Sequence, residues 1–269
     1  EGIKPIIGCE VYVASKSRFD KENSPDNFYY HLVLLAENNK GYDNLIKIVS
    51  YGFKDGFYYK PRVDIELLEK YHEGIIALSA CLAGPVARTI IRQGYDKAKE
   101  VALRYNNIFG ENNFFLELQD HMDGSVDQQT VNQSLMRMHQ ETGIPLVATN
   151  DCHYISPEDA EAHDILLCIQ TNTTVDEADR MRYEGGQYYV KSPEEMYSLF
   201  PYAHQACENT YKIAQRCNVE FEFGNYKLPV FDVPEGKTAV EYLSELALNG
   251  LKERYGEVTP KLKERLDSE

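Results

Sequence analysis

The stretch Pro145-Leu-Val-Ala-Thr-Asn-Asp-Cys-His-Tyr154 joins a short apolar run to a cluster of polar side chains. Residues 145–148 follow Gly143, a residue typical of helix ends, and their apolar character indicates a buried strand. If the chain stays extended beyond this strand, side chains two positions apart point the same way, so Asp151 and His153 converge. A carboxylate beside an imidazole is suited to a divalent metal. The alternative is an ordinary turn, because Asp, Asn and His are common in turns.

Further apolar runs surround this stretch and alternate with segments of helical spacing. We predict strands at residues 3–14, 31–36, 74–80, 114–118 and 145–148, and helices at residues 42–53, 85–93, 95–109, 126–142 and 157–170. Such alternation, with each strand a nearly continuous apolar run, indicates an α/β fold whose sheet is parallel and covered on both faces. The polar loop 15–28 is long enough to be mobile or functional.

The texture of the chain changes after about residue 171. Residues 181–187 look irregular, and helices are predicted at 194–200 and 203–217. Residues 223–237 form a connector punctuated by Pro and Gly. An amphipathic helix over about 239–255 follows, and we expect it to dock onto something beyond this chain.

Composition limits the partners of the chain. It has 269 residues and a formal net charge of −15, so its surface repels phosphate backbones. If nucleic acid is the substrate, a metal centre or a neighbouring domain must supply the positive field. No apolar run approaches the roughly 20 residues that a membrane helix needs, and no secretory signal is visible. Six cysteines without a CxxC pair favour a reducing compartment, so we expect a cytoplasmic location and no membrane partner.

Five side chains in or beside the predicted strands have the chemistry of metal ligands. They are Glu10, His31, Cys81, Asp151 and His153. Exposure at a sheet edge is the alternative for Glu10, and Cys81 could be a small buried apolar residue. Glu117 is costly to bury unless it is paired or metal-bound. His121 could be a ligand, a proton shuttle or a turn residue, and we favour a supporting place behind the ligands.

Other catalytic motifs are missing from the sequence. It contains no GxGxxG, GxxxxGK[ST], GxSxG or HExxH. Basic patches interleaved with aromatic residues are missing too, and the nearest is the segment 58–62, Tyr-Tyr-Lys-Pro-Arg. Phosphate cradling by a glycine loop and serine or HExxH metalloprotease chemistry are therefore unsupported.

The ordered set of segments resembles the polymerase-and-histidinol-phosphatase (PHP) domain of bacterial replicative DNA polymerase III alpha subunits. The similar stretches are KPIIGCEVYVA (4–14), HLVLLAENNKGYDNLIKIVS (31–50), GIIALSACLAG (74–84), FFLELQDH (114–121), PLVATNDCHY (145–154), AHDILLCIQT (162–171), IAQRCNV (213–219) and LPVFDVPEGKTAVEYLSELALNGLKERY (228–255). The resemblance implies a seven-stranded β/α barrel with up to three metals, zinc, manganese or iron, at one rim. It also implies phosphoesterase chemistry, and in some alpha subunits a proofreading 3′-5′ exonuclease.

The resemblance carries over residue by residue to the five candidates. Glu10 matches the glutamate ligand, His31 the histidine after it, Cys81 the cysteine, and Asp151 with His153 the final pair, which we expect to be catalytic. The family's opening strand, with its His-x-His motif and the following aspartate and histidine ligands, has no counterpart in this sequence. We therefore expect a barrel incomplete at its N-terminus and a fragment that is inactive by itself.

The resemblance also implies a domain organisation and partners. We predict a PHP domain over residues 1–222, with its core at 1–171 and an additional irregular and helical segment at 172–222. Residues 223–269 are then a linker and helix that lead into a polymerase domain. The implied partners are DNA, through the parent polymerase, the rest of the alpha subunit and the replicase holoenzyme. A catalytically inert barrel that braces the polymerase is the main alternative, and a free-standing phosphatase of small substrates is a second one.

Overall fold

The computed structural model describes residues 2–226 and 228–269, which divide into two compact units. The first unit is Glu1–Glu220 and the second is Phe221–Glu269.

The first unit is built on a mixed sheet. Over the described residues its seven strands are β1 Gly8–Ala14, β2 Tyr29–Ala36, β3 Phe57–Tyr58, β4 Lys60–Val63, β5 Ile75–Leu78, β6 Phe114–Leu118 and β7 Leu146–Ala148. Their order in the sheet is β3-β4-β1-β2-β5-β6-β7, so the described part of the chain forms an open sheet with β3 and β7 at its edges. The predicted α/β class is confirmed, and the open sheet is consistent with an incomplete barrel.

Helices connect most of these strands and pack around the sheet. In the described part of the first unit they are α1 Asn39–Lys54, α2 Ile65–Tyr71, α3 Pro85–Gln93, α4 Tyr95–Phe109, α5 Val126–Thr142, α6 Ala160–Thr171, α7 Pro193–Leu199 and α8 His204–Arg216. The short helix α2 begins after Asp64, whose side chain accepts a hydrogen bond from the Leu67 amide at 3.2 Å. This is the usual role of Asp at a helix N-terminus.

The prediction of a fully parallel sheet is wrong at β2 and at the short β3, which is antiparallel to β4. Strand β2 runs antiparallel to both β1 and β5, whereas β5, β6 and β7 are parallel to one another. A parallel pair needs a crossover connection, usually through a helix, and the loop 15–28 between β1 and β2 contains none, so the chain simply reverses. The start of β2 therefore lies at the same edge of the sheet as the ends of β1, β5, β6 and β7.

Both faces of the sheet are covered, as predicted. Side chains alternate between the faces, so Phe114 and Leu116 of β6 pack into the larger core with the helices, whereas Phe115 points to the opposite face. That second face carries a smaller apolar cluster made of Ile76, Leu78, Phe115 and Val147, together with Ile213 and Cys217 at the C-terminal end of α8. Helix α8 also covers the edge strand β7, where Asn209 Nδ2 donates a 2.7 Å hydrogen bond to the Leu146 carbonyl.

The loop 15–28 is anchored by a buried arginine. Arg62, only 1% exposed, donates hydrogen bonds to the Asp20 carbonyl at 2.6 Å, to Asn27 Oδ1 at 2.7 Å and to the Gly56 carbonyl at 3.3 Å. None of these acceptors is a carboxylate. The guanidinium group of Arg62 thus holds the loop against β4. It supplies the hydrogen bonds that the polar atoms of the loop would otherwise need from water.

Helices α4 and α5 are joined by a polar cluster around Glu141. Its carboxylate accepts hydrogen bonds from Lys99 Nζ at 2.7 Å, Arg137 Nε at 2.7 Å and the Tyr95 hydroxyl at 2.8 Å. These donors, led by Lys99, lower the pKa of Glu141 to about 2. The carboxylate therefore stays ionised in the folded chain at pH values where it would be protonated in the unfolded chain.

We expect Glu141→Gln to lower the thermal midpoint at neutral pH and to lose this effect in acid. Because the folded pKa lies below its ordinary value of 4.5, the ionised group stabilises the fold above that pH, and the contribution is lost as the pH falls towards 2. The measurement is thermal unfolding of both proteins between pH 7 and pH 3. Glu100→Gln is the control, since Glu100 forms an exposed ion pair with Lys97 alone. A midpoint difference that does not change with pH would contradict the prediction.

The second unit contains two helices within its described residues. Helix α9 spans Ala239–Tyr255, as predicted. Thr238 caps its N-terminus and exchanges hydrogen bonds with Glu241. Helix α10, Pro260–Ser268, was not predicted from the sequence. Across the described residues of both units, no helix combines the length and the apolar character needed to cross a membrane.

Candidate metal centre

Glu10, His31 and Cys81 meet at one edge of the sheet although they lie far apart in the sequence. His31 is the third residue of β2 and pairs with Tyr12, two positions from Glu10, so the carboxylate and the imidazole share a face of the sheet. Glu10 Oε1 lies 2.7 Å from His31 Nδ1, and Cys81 Sγ, just after β5, lies 3.7 Å from the same nitrogen. The Glu10 side chain is 42% exposed, because β4 pairs with β1 at Tyr12 and Val13 but not at Glu10.

The electrostatics of this group follow from its contacts. The hydrogen bonds to Cys81 and Glu10 raise the pKa of His31 to about 10. In turn the hydrogen bond from His31 lowers the pKa of Glu10. The imidazole is therefore charged at neutral pH and lies between an acid and a thiol.

Asp151 and His153 reach the same edge, but not in the predicted way. Asp151 has φ +45°, in the left-handed region, so the chain turns after β7 instead of staying extended. His153 Nδ1 consequently lies 2.6 Å from the backbone carbonyl of Asp151. Burial raises the pKa of Asp151, which also feels the charges of His153, Glu10 and His31. All five predicted ligands are thus electrostatic neighbours at one rim.

These five side chains do not surround a common point. Within residues 2–226 and 228–269, no three His, Cys, Asp or Glu side chains are arranged to hold a metal ion. In their chemistry, two carboxylates, two imidazoles and a thiol fit zinc, iron or manganese. The five residues therefore have suitable donor atoms and lie at one rim. Among the described residues, however, they are not arranged as a coordination sphere.

Glu117 lies behind this rim and is fully paired. It is 4% exposed, and its carboxylate accepts hydrogen bonds from the Ala80 amide at 2.8 Å, Thr149 Oγ1 at 2.5 Å and Gln119 Nε2 at 3.1 Å. Burial raises its pKa despite these donors. Through them Glu117 links the segments that follow β5, β6 and β7, and so fixes the backbone next to Cys81.

His121 is also buried behind the rim. Its Nε2 lies 3.2 Å from the Asn150 carbonyl, and its ring stacks on Tyr188 with a centroid separation of 3.9 Å. Burial lowers its pKa. The contact with Asn150 supports the turn that carries Asp151.

Sequence reasoning missed the tyrosines that cover His153. The ring centroid of Tyr183 lies 4.2 Å from that of His153 and 4.8 Å from that of Tyr188. Burial raises the pKa of Tyr183, and the nearby charges of Asp151, Cys81 and Glu10 add to this. Tyr183 therefore packs against one predicted ligand, His153, and lies within electrostatic range of three others. The only signal in the sequence was the density of tyrosine in the irregular segment after residue 181.

The segment that contains these tyrosines is tied to the turn after β7. Asn150 Nδ2 donates to the carbonyls of Gln187 at 2.8 Å and Tyr189 at 2.7 Å, and the His153 amide donates to the Tyr188 carbonyl at 2.8 Å. These non-local hydrogen bonds hold the turn in the conformation that brings Asp151 to the rim.

The chain is similar in sequence to one protein family and to several known proteins. The family model described as "PHP domain" matches residues 1–121. The chain is 45% identical over 267 residues to the DNA polymerase III subunit alpha of Borreliella burgdorferi strain B31, covering 98% of this chain and 23% of that protein. It is 43% identical to the subunits of Treponema pallidum strain Nichols, covering 100% and 23%, and of Thermus aquaticus, covering 94% and 21%. The chain thus spans less than a quarter of the length of these relatives.

Proposed function

We propose that the chain is the PHP part of a DNA polymerase III alpha subunit and supplies metal-dependent phosphodiester hydrolysis. The match of the PHP family model to residues 1–121 and the 45% identity to such a subunit support this proposal. The substrate is the 3′ end of DNA, so the activity is that of a 3′-5′ exonuclease. The proposal includes the rest of the alpha subunit and the replicase as partners, and a cytoplasmic location.

The observation that carries the proposal is the meeting of Glu10, His31 and Cys81 from three separate segments. A carboxylate, an imidazole and a thiol are each ligand types that zinc and iron accept, and here all three lie side by side. We assign these three, with Asp151 and His153, as the residues of this chain that hold zinc, manganese or iron. When bound, such metals supply an activated water and stabilise charge on the scissile phosphate. The protein contributes orientation, because Glu117 and Asn150 fix the backbone beside Cys81 and Asp151.

A structural brace without hydrolytic activity is the second candidate. The observation that favours it is that no three of the described side chains are already placed around one point. Under this alternative the polar side chains at the rim are inherited from a metal-binding ancestor and have no catalytic role. The sheet then serves only to support the polymerase domain.

The two functions differ in metal content and in cleavage. We expect the full-length polypeptide to retain about two or three equivalents of zinc, manganese or iron after dialysis, and to shorten 5′-labelled single-stranded DNA from its 3′ end. EDTA should stop cleavage and re-addition of metal should restore it, while nucleotide incorporation at excess magnesium serves as the control. A folded, polymerising protein without these metals and without cleavage would support the brace. Hydrolysis of p-nitrophenyl phosphate without DNA cleavage would instead favour a small-substrate phosphatase.

A further inference from the structure

Two arginines of α3 lie over an aromatic ring at the base of the loop 15–28. The guanidinium carbon of Arg88 is 4.3 Å from the ring centroid of Phe28, and that of Arg92 is 5.9 Å from it. Tyr30 packs edge-on against Phe28 with a centroid distance of 5.1 Å. This patch has no local signature in the sequence, because 60 residues separate Phe28 from Arg88.

Neither arginine has a carboxylate partner among the residues that the structure describes. Elsewhere Arg137 also stacks on an aromatic ring, that of Tyr95 at 3.9 Å, but there Glu141 neutralises its charge. Two neighbouring guanidinium groups without a counter-charge favour an anion supplied from outside.

The patch and the candidate metal centre meet at the start of β2, although they lie on opposite faces of the sheet. Tyr30 points to the face of the larger core, whereas Tyr29 and His31 point to the other face. Arg88 Nη1 donates a 3.0 Å hydrogen bond to the Tyr29 carbonyl. The ring of Tyr29 is parallel to that of His31, with centroids 6.2 Å apart, and packs against Tyr12 at 4.7 Å. A single strand that runs from the arginines to the imidazole of His31 therefore crosses the start of β2 beside the rings of Tyr29 and Tyr12.

The aromatic ring of the patch is held in place before any ligand arrives. The Phe28 carbonyl accepts a 2.9 Å hydrogen bond from the Ser15 amide, and the Phe28 amide donates to Ser15 Oγ at 3.2 Å. The loop that ends at Phe28 is fixed by Arg62 as described above. The guanidinium groups thus stack on a pre-positioned surface, which reduces the entropy lost when they bind a ligand.

We propose that Arg88 and Arg92 bind successive phosphates of single-stranded DNA whose terminal nucleotide lies at the candidate metal centre, on the path past Tyr29. The inference rests on the proposed function for the direction of the strand, whereas the binding itself does not need hydrolysis. Arginine forks match phosphate geometry, and aromatic rings beside them are typical of surfaces that bind single strands. The negative charge of the remaining surface then confines DNA to this track.

The test is fluorescence anisotropy of labelled oligo-dT with the 269-residue chain, in EDTA, over a range of salt concentrations. Arg92 is exposed, so Arg92→Gln should leave the fold intact. We expect this variant to weaken binding about 5-fold at low salt and to reduce the slope of log K against log salt by about 0.7. Arg92→Lys should retain the slope. The matched control is Lys47→Gln, which removes a cation that also lies over an aromatic ring, Tyr71, on α1. It should leave the salt slope unchanged.

Two outcomes separate this inference from the proposed function. Equal affinities and slopes for Arg92→Gln and the unmodified chain would overturn the DNA track, and the arginines would then only brace Phe28, even if the full-length polypeptide cleaves DNA. Arg92-dependent binding in EDTA, in a polypeptide that neither retains metal nor cleaves, would uphold the track and reject hydrolysis.

Discussion

Asp151→Asn in the full-length polypeptide should reduce 3′ exonuclease activity at least about 100-fold and leave DNA synthesis unchanged. Loss of residues that merely support a metal ligand costs about 10- to 100-fold, so loss of a ligand that carries charge should cost more. We expect the substitution to leave the backbone conformation unchanged. Asp151 has φ +45°, and Asn tolerates this left-handed conformation as well as Asp does. The measurement is the rate of 3′ shortening together with metal content.

Asp123→Asn is the matched control for this variant. Asp123 is exposed in the neighbouring loop after β6, and its side chain accepts a hydrogen bond from the Ser125 amide at 2.9 Å, which Asn also can accept. The control removes the same charge near the rim without removing a predicted ligand, so its activity should stay within about 3-fold of normal. Equal losses in both variants would mean that general charge, not ligation, governs the site, and unchanged activity in Asp151→Asn would reject it as a ligand.

Arg62→Met should destabilise the first unit by about 3 kcal/mol. Methionine fills much of the same volume, but it leaves the Asp20 carbonyl and Asn27 Oδ1 without their donor in a partly buried place. The Gly56 carbonyl keeps the 3.3 Å hydrogen bond from the backbone amide of residue 62. Each unsatisfied buried group costs on the order of 1–3 kcal/mol, and partial access of water to the loop reduces the sum. Urea unfolding of the 269-residue chain, followed by circular dichroism, measures the change.

Lys60→Met provides the comparison for Arg62→Met on the same strand. Lys60 is exposed and lies over the Tyr12 ring at 5.7 Å, so its replacement should change the free energy of unfolding by no more than about 0.5 kcal/mol. A second readout is tryptic cleavage at Lys16 and Lys21, both exposed in the loop 15–28. Cleavage there should accelerate only in Arg62→Met. Equal stability and equal cleavage in both variants would show that Arg62 does not anchor the loop.

Local signals in the sequence were sufficient for the central helices. The predicted bounds 85–93, 95–109 and 126–142 agree with α3, α4 and α5. Each of these helices ends at a glycine, Gly94, Gly110 or Gly143, that has positive φ and a backbone amide bonded to the preceding turn. Helix termination is decided within a few residues, so a single sequence carries the information.

Features that depend on distant contacts could not be read in the same way. The direction of β2 follows from how the loop 15–28 closes, and the turn at Asp151 is held by Asn150 through the carbonyls of Gln187 and Tyr189. Neither the direction of β2 nor the turn at Asp151 is encoded by a pattern of neighbouring residues. The rim residues were predicted as a group through residue chemistry and family resemblance, whereas Tyr183 was missed because only folding brings its segment to the rim.

The hydrogen bond from Asn209 to the Leu146 carbonyl bears on how the chain behaves in concentrated solution. An unpaired border strand such as β7 offers a template on which a second molecule can add a strand, which is a common route to aggregates. Here a side chain from α8 already occupies one acceptor of that template, and the helix stands alongside it. Self-association through this border therefore requires α8 to detach first, which makes it a consequence of partial unfolding and not a property of the native molecule.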